Sequence, residues 1–490
     1  MMHPRNGHAA DVAQARGGSR RAKIVLYNPR AVFFTMPLAL LAVGSELDPE
    51  KYEVVIIDGR LEADAVTAVL AQLEGALCFG VTVLTGAPIA DAINLSRAVK
   101  AARPQLPVVW GGWHPSMFAR ECLEEASVDV IVRGQGEATF AEIVRRLSAG
   151  ESLADCPGST VRLADGSVQE NAARPLLPVE MFRAHDYSLI PVERYFDLKG
   201  KRQLDFISSQ GCNFRCAFCS DPFVYERKWV GLDPVRMALR LRELWQRYRF
   251  DDVNFQDETF FTRRSRIQAF VDRLIEYDLK FTWAGTMRAD QGVRLPDELW
   301  ARSVQSGLRR LLVGVESGSD EMLKRIRKDI RIEQVFQTAH KMAGHGVAGH
   351  FPFIVGFPEE SDDSIRATID CAKRLRAISG EFQTPIFYFK PYPGSEIVME
   401  AVARGFRLPA GLKAWSEFDY VDGDPGPWVS REKFKLIERF KFFSELAARP
   451  AGEKGGLLQR FAAFRCRRDE YRLPVEMLFT RWLMPEQRLS

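Results

Sequence analysis

Three cysteines, Cys212, Cys216 and Cys219, fall within one short stretch, SSQGCNFRCAFCSDP. Thiolates at that density are first of all metal ligands, and their number narrows the metal. A structural zinc site closes a tetrahedron with four N or S ligands, usually in two pairs, and neither a partner pair nor a nearby histidine accompanies this group. A cubane iron-sulfur cluster held by three cysteines instead leaves one iron without a protein ligand, free to bind a substrate. Buried free thiols, or a zinc site completed by a distant ligand, are the bland alternatives.

Polar residues of the right chemistry recur further along, each after an apolar run. NFQDETFF carries Asp257 and Glu258, GTMRAD carries Arg288, and VGVESGSD carries Glu316 and Ser317. FIVGFPEES carries Gly356 and Phe357, and YFKPYPGSE carries Pro393 and Gly394. Taken singly, the Asp257-Glu258 pair reads as a helix N-cap with a first-turn acid, Arg288 as half of a surface ion pair, and Glu316 as the cap of the next helix. Their order along the chain is what gives them weight.

The elements that must position these residues show a repeating pattern. From Lys23 to about Gly150, apolar runs KIVLYN, YEVVIID, ALCFGVTVL, PVVWGG and VDVIVRG alternate with amphipathic segments such as DAINLSRAVKAAR. That is a βαβα signature and predicts a doubly wound parallel sheet. Such sheets bind ligands beyond the carboxyl ends of their strands, where this chain has Asn28-Pro29, Asp58-Gly59, Gly111-Gly112 and Gly134-Gln135-Gly136. Residues 151–200 break the alternation and read as a linker, with VRLADGSVQ a hairpin on its Asp165-Gly166 turn. From 201 to 395 the alternation returns in LDFIS, DVNFQ, KFTWAG, RRLLVGV, GHFPFIVG and TPIFYF, which predict a partial six-unit (β/α) barrel with its chemistry at the strand ends. Residues 396–490 are rich in Phe, Trp and Arg and mostly helical in pattern from about Arg431.

Composition sets broad limits. At 490 residues the chain needs several cores, and 46% apolar with 27% charged residues excludes a mostly disordered or collagen-like protein. A net charge of +4 is too mild to imply nucleic acid, and none is expected as a partner. Eight cysteines in this length favour a reducing compartment, and the expectation is cytoplasmic. Residues 1–22 have no apolar core segment and read as a disordered tail, not a signal peptide.

The spacing C-x3-C-x2-C with Phe218 before the last cysteine, after the first strand of a six-unit barrel, resembles the radical S-adenosylmethionine (SAM) enzymes. The preceding stretch VVWGGWHPSMFARECLEEASVDVIVRGQGEATFAEIV resembles the cobalamin-binding domain of one large class of them. The resemblance implies a 4Fe-4S cluster on the three cysteines and SAM on its open iron. Phe218, Asp257, Glu258, Arg288, Glu316, Ser317 and Gly356 would then contact SAM. Cobalamin would lie against Thr82, Thr85, Gly111, Gly112, His114, Gly134, Gly136 and Glu137. No D-x-H-x-x-G occurs, so base-off cobalamin without a histidine ligand is implied, His114 being a loop residue near the ring or nucleotide.

The activity implied is methylation of an unactivated carbon, with cyclisation, ring rearrangement or hydroxylation as the alternative and a non-enzymatic cobalamin carrier as the outside class. Methylthiotransferases share the two-part layout and use three N-terminal cysteines for a second cluster. Here the N-terminal cysteines are Cys78, Cys122 and Cys156, none of which lies in the loop after the first strand. Implied partners are a small-molecule substrate, hydrophobic or acidic, and an electron donor of flavodoxin or ferredoxin type. In residues 434–472, Phe434, Phe440, Phe442, Phe443, Phe461 and Phe464 interleave with Arg460, Arg465, Arg467 and Arg468. A helical cap with a solvated basic face is expected there, peripheral membrane contact being the minority reading.

Overall fold

The structure is a computed structural model that describes residues 21–418, 427–447 and 457–468; the expected tail lies outside these but for its last two residues. The N-terminal unit is a seven-stranded sheet in the order β2-β1-β3-β4-β5-β6-β7. Its strands are β1 (Ala22–Asn28), β2 (Tyr52–Asp58), β3 (Ala76–Thr82), β4 (Val108–Gly111), β5 (Val130–Val132), β6 (Ser159–Arg162) and β7 (Val168–Glu170). The first five are parallel. Their runs are continuously apolar because both faces are buried: Val25, Phe79, Val81 and Trp110 enter one core, and Ile24, Leu26, Cys78 and Val109 the other. The Asp165-Gly166 hairpin is β6-β7, and it pairs antiparallel with β5, so it extends this sheet and is not an isolated feature of the linker.

The barrel sheet runs in the order β16-β14-β13-β12-β11-β8, all parallel. Its strands are β8 (Gln203–Phe206), β11 (Asp252–Phe255), β12 (Thr282–Met287), β13 (Leu308–Val313), β14 (Ala348–His350) and β16 (Phe382–Gln383). One expected strand, GHFPFIVG, is divided in two, and TPIFYF is preceded by a separate two-residue strand, β16, outside the expected run. Pro352 and Pro385 sit at the breaks; without an N–H they cannot continue the ladder, and the chain restarts as β15 (Phe353–Val355) paired with β17 (Ile386–Tyr388). A short antiparallel ribbon of β9 (Ser209–Gly211) and β10 (Trp229–Gly231) rises beyond β8.

Buried polar groups join the two units. The Asp205 carboxylate accepts from Met36 N at 2.8 Å and from Lys199 Nζ, while Tyr187 OH donates to the Asp205 carbonyl at 2.6 Å. Tyr195 OH donates to Asp58 at 2.7 Å, and Arg60 pairs with the same carboxylate. The linker thus carries Tyr187 and Tyr195 as ties between sheet and barrel.

The C-terminal region also returns to the N-terminal unit. Trp415, on the helix Gly411–Ser416, is fully buried in the core formed with Val83, Trp110 and Phe118. The helix Arg431–Ala447 buries Ile437, Phe440 and Phe443 against the barrel, as a helical cap requires. On the helix Leu457–Arg468, Phe461 and Phe464 stay exposed at 45% and 46%, with Arg465 and Arg468 guanidiniums over their rings. Among the described residues no helix is long and apolar enough to cross a membrane. Truncating Trp415 to alanine should cost about 3 kcal/mol, as for large aromatic deletions in cores, with a visibly lower melting temperature, whereas Phe461→Ala should leave melting nearly unchanged.

Candidate functional site

The three cysteines occupy the loop that follows β9, and that loop is fastened at its base. Asp257 accepts from Ser208 N at 3.1 Å, from Ser208 Oγ at 2.7 Å and from Ser209 Oγ. Arg266 donates to the Ser208 carbonyl at 3.0 Å. Gly211 has φ of 76°, and a Cβ there would collide with the Lys228 carbonyl, so only glycine allows β9 to meet β10 this closely. Within the loop, Ala217 N donates to Ile326 O at 2.8 Å and Ala217 O accepts from Ile397 N at 3.0 Å.

Cys212, Cys216 and Cys219 open onto a cavity of about 790 Å³ at the end of the barrel. Phe218, Glu258, Arg288 and Glu316 line it too. Arg288 Nη1 lies 3.9 Å from Cys216 Sγ, and its guanidinium sits over the Phe214 ring at 3.9 Å. Among the described residues no three His, Cys, Asp or Glu converge in the manner of a single chelated ion; the thiols line a space instead. Burial lifts the Cys212 thiol to about 11 and raises that of Cys219 as well, so metal loading would release protons. Asp221 lines the same wall with both carboxylate oxygens buried and unpartnered among the described residues, and burial lifts it to about 6. An orphaned carboxylate beside three thiols fits a site completed by a cationic ligand, as SAM, with its sulfonium and ammonium groups, would be on a cluster held there.

Three expected SAM contacts are engaged elsewhere. Asp257 is consumed by the serines and lines neither this cavity nor its neighbour, so Glu258 is the acid of the pair that reaches the site. Glu258 is open to the cavity, and burial with Asp221 nearby raises its carboxyl well above the ordinary range. Ser317 is fully buried, accepting from Ser319 N at 3.2 Å, and Gly356 N is taken by Glu360 at 2.6 Å.

Lys328 is the residue the motifs missed. It pairs with Glu316 at 2.7 Å on the cavity wall, turned inward by a loop in which Arg327 and Asp329 both have positive φ. Burial opposes its charge, but Glu316 and Cys216 more than offset this and hold its pKa above the usual lysine value. Glu316 itself has φ of 69°, uncommon for a side-chain-bearing residue, and is held there by Pro352 O and Ile354 N.

A second cavity, of about 460 Å³, opens at the carboxyl ends of the N-terminal strands. Thr82, Gly111, Gly112, Gly134, Gly136 and Glu137 line it. Gly112 has φ of 101°, and a Cβ there would come within 2.8 Å of Val83 O. Gly134 has φ of 67°, and a Cβ there would meet nothing within 4 Å, so its bare backbone faces open space, as a large flat ring requires. Arg60 holds the roof of this cavity, donating to Thr35 O at 2.7 Å and to Phe33 O.

Two expected cobalamin contacts lie elsewhere. Thr85 lines the cysteine cavity, and its Oγ1 is 3.2 Å from His114 Nδ1. His114 lines neither cavity: the short helix Trp113–Met117 turns its ring inward, 5.7 Å from Trp415 and 5.2 Å from Phe118, and leaves Trp113 and Ser116 facing the ligand space. Cys78, Cys122 and Cys156 do not assemble either: all are fully buried, Cys122 in one core of the sheet and the other two in the opposite core. The two cavities share Ala31, Phe33, Leu84, Pro88, Trp113 and Glu258, so the two ligand spaces meet across one wall.

Replacing Cys212, Cys216 and Cys219 together by alanine should abolish iron binding, read as iron per chain after anaerobic reconstitution. His114 gives a pH signature. Burial lowers its pKa from 6.5 to about 4, so the unfolded chain binds the extra proton between these values. The stability contributed by the neutral ring is complete above pH 6.5 and is lost as pH falls toward 4. Denaturation at pH 7 and pH 5 should show His114→Phe losing about 2 kcal/mol less over this interval than the parent protein.

A family model for the radical SAM superfamily matches residues 206–372, and one for the B12 binding domain matches residues 25–144. The chain is 29% identical over 404 residues to the uncharacterized methyltransferase PH0819 of Pyrococcus horikoshii, covering 80% of this chain and 84% of that one. It is 26% identical over 338 residues to the anaerobic magnesium-protoporphyrin IX monomethyl ester cyclase of Synechocystis, covering 68% and 67%. Among solved structures, the cobalamin-dependent S-adenosylmethionine radical enzyme OxsB, bound to aqua-cobalamin and S-adenosylmethionine, superposes with a TM-score of 0.68 at 17% identity, over 94% of this chain and 75% of that one. With strand-end glycines on one side of a shared wall and three cysteines on the other, the chain belongs to the cobalamin-binding radical SAM enzymes, whose cofactors are a 4Fe-4S cluster, SAM and cobalamin.

Proposed function

We propose that the chain is a methyltransferase that places a methyl group on an unactivated carbon of a small molecule. The observation that carries this reading is the shared wall: a substrate at Phe33, Leu84 and Trp113 would be reached from both cofactor spaces. When bound, the cluster with SAM supplies a carbon-centred radical and cobalamin a transferable methyl group. On this reading Cys212, Cys216 and Cys219 hold the cluster, and the Arg288 guanidinium is shaped to pair with the SAM carboxylate. Glu258 would accept from its amino group, Glu316, oriented by Lys328, from ribose hydroxyls, and Phe218 would pack beside it. Thr82, the strand-end glycines and Glu137 would hold cobalamin.

The wall left to the substrate, with Phe33, Leu84, Trp113, Met117 and Phe418, favours a hydrophobic molecule over an acidic one. A flavodoxin or ferredoxin would supply the electron. Phe461, Phe464 and Arg468 are the surface at which peripheral membrane contact is to be sought, by flotation with anionic vesicles.

Relatives named as methyltransferase and as cyclase both match this chain, and one experiment divides the two readings. The reconstituted enzyme is incubated anaerobically with SAM labelled in its methyl group, a reductant and candidate apolar substrates. Label in the product together with 5′-deoxyadenosine is the expected result; 5′-deoxyadenosine with an altered but unlabelled product would establish cyclisation or another radical outcome instead.

A further inference from the structure

One side chain crosses from the cysteine loop to the strand-end loop, and it was not among the motif residues. Gln210 lies in the middle of β9, opposite Val230 of β10 and two positions before Cys212. Its Nε2 donates to Glu137 Oε1 at 2.6 Å, and its Oε1 accepts from Gln135 Nε2 at 2.7 Å. Both partners belong to the segment Gly134-Gln135-Gly136-Glu137. Gln135 is itself fixed, donating to Leu177 O at 3.1 Å and accepting from Leu177 N at 2.8 Å. Gln210, Gln135 and Glu137 all line the cavity at the N-terminal strand ends. Glu137 is buried at 5% exposure, so leaving its hydrogen bond from Gln210 unmade would strand its carboxyl group away from water, while Gln210 and Gln135 are half-buried.

The arrangement gives the two loops a common position. Displacing Gly134–Glu137 moves the amide that Gln210 grips, and Gln210 is part of the same three-residue strand as Gly211, whose backbone has no slack against Lys228. We propose that Gln210 is a positioning residue that joins occupancy of the cobalamin cavity to the geometry of the cluster loop, so that each cofactor is bound more tightly when the other is present. Linkage makes this reciprocal: a factor gained by cobalamin from the cluster is gained equally by the cluster from cobalamin. The proposal rests on the family assignment and not on methyl transfer, so a failed label experiment would leave it standing.

The test reads binding. Hydroxocobalamin is titrated by absorbance into full-length protein before and after anaerobic cluster reconstitution. The parent protein should bind about tenfold more tightly once the cluster is loaded, within the usual range for coupled sites. Gln210→Ala should bring the two affinities within twofold, and Gln210→Glu, which sets two carboxylates against each other, should do the same. The double variant Gln210→Glu with Glu137→Gln should restore most of the difference, because the new carboxylate can accept from both Gln135 and the new amide. With dithionite in excess to hold the cluster reduced, its electron paramagnetic resonance spectrum should shift on adding cob(II)alamin in the parent and the double variant, and not in the single variants. Equal affinities in the parent, a retained tenfold difference in Gln210→Ala, or a double variant as uncoupled as Gln210→Glu would each overturn the proposal. Should Gln210→Ala fail to load iron, Gln210→Met, which keeps the length without either polar atom, takes its place in the comparison.

Discussion

The structure depends on a seam of buried hydrogen bonds between two α/β units that each present strand carboxyl ends toward the other. Asp205 and Asp58 are the two carboxylates on which it turns. Each would be expensive to bury alone, and each is matched by a cation and neutral donors: Lys199, Met36 N and Gln256 for Asp205, and Arg60, Tyr195 and Asn28 for Asp58. Such groups contribute little net stability compared with apolar packing, but only one relative placement of the two units satisfies all of them. Apolar contact alone would allow the cavities to slide past each other; directional bonds do not.

The cysteine cavity combines charge and apolar surface in a way that separates their tasks. Apart from Arg30, whose guanidinium donates to the carbonyls of Gly59, Glu62 and Ala63, its charged groups, Arg288, Glu258, Glu316, Lys328 and Asp221, come from the barrel, while Val32, Phe33, Leu84, Ala87, Pro88 and Met117 come from the N-terminal unit. A zwitterionic cofactor and an apolar substrate would therefore be recognised by different units of the same protein, and water would be excluded mainly from the N-terminal side. Arg288 shows how its geometry is kept: its Nε is held by Asp290 at 3.0 Å and its plane rests on Phe214, which leaves it no freedom to follow solvent.

Much of this was legible in the chain. Continuous apolar runs separated by amphipathic segments named both parallel sheets, and the cysteine spacing named the loop, because these are local patterns repeated along the sequence. What was not legible depends on contacts far apart in sequence. Asp257 and Glu258 are neighbours of the same chemical type, and only the position of Ser208 and Ser209 decides which is consumed inside the barrel. His114 faces a core because Trp415, some 300 residues later, is there to cover it. Lys328, Gln210 and Arg60 carry no motif at all: a lysine between two residues of positive φ, a glutamine in a three-residue strand and an arginine after an Asp-Gly turn gain their meaning only from partners in another element. The divided strand was readable in principle, since Pro352 stands in the middle of GHFPFIVG, and Pro385 at the second position of TPIFYF marks where β17 begins.

Trp415 has a further consequence for how the protein is made. The N-terminal sheet leaves the ribosome early, with most of its strands and crossover helices able to assemble at once. The core around Val83, Trp110 and Phe118 stays incomplete, and its apolar surface open to water, until the helix at Gly411–Ser416 has been translated. Throughout synthesis of the barrel, therefore, the nascent chain carries an uncovered aromatic groove, a natural foothold for a chaperone and for off-pathway association, and it is closed only after the whole barrel has been translated.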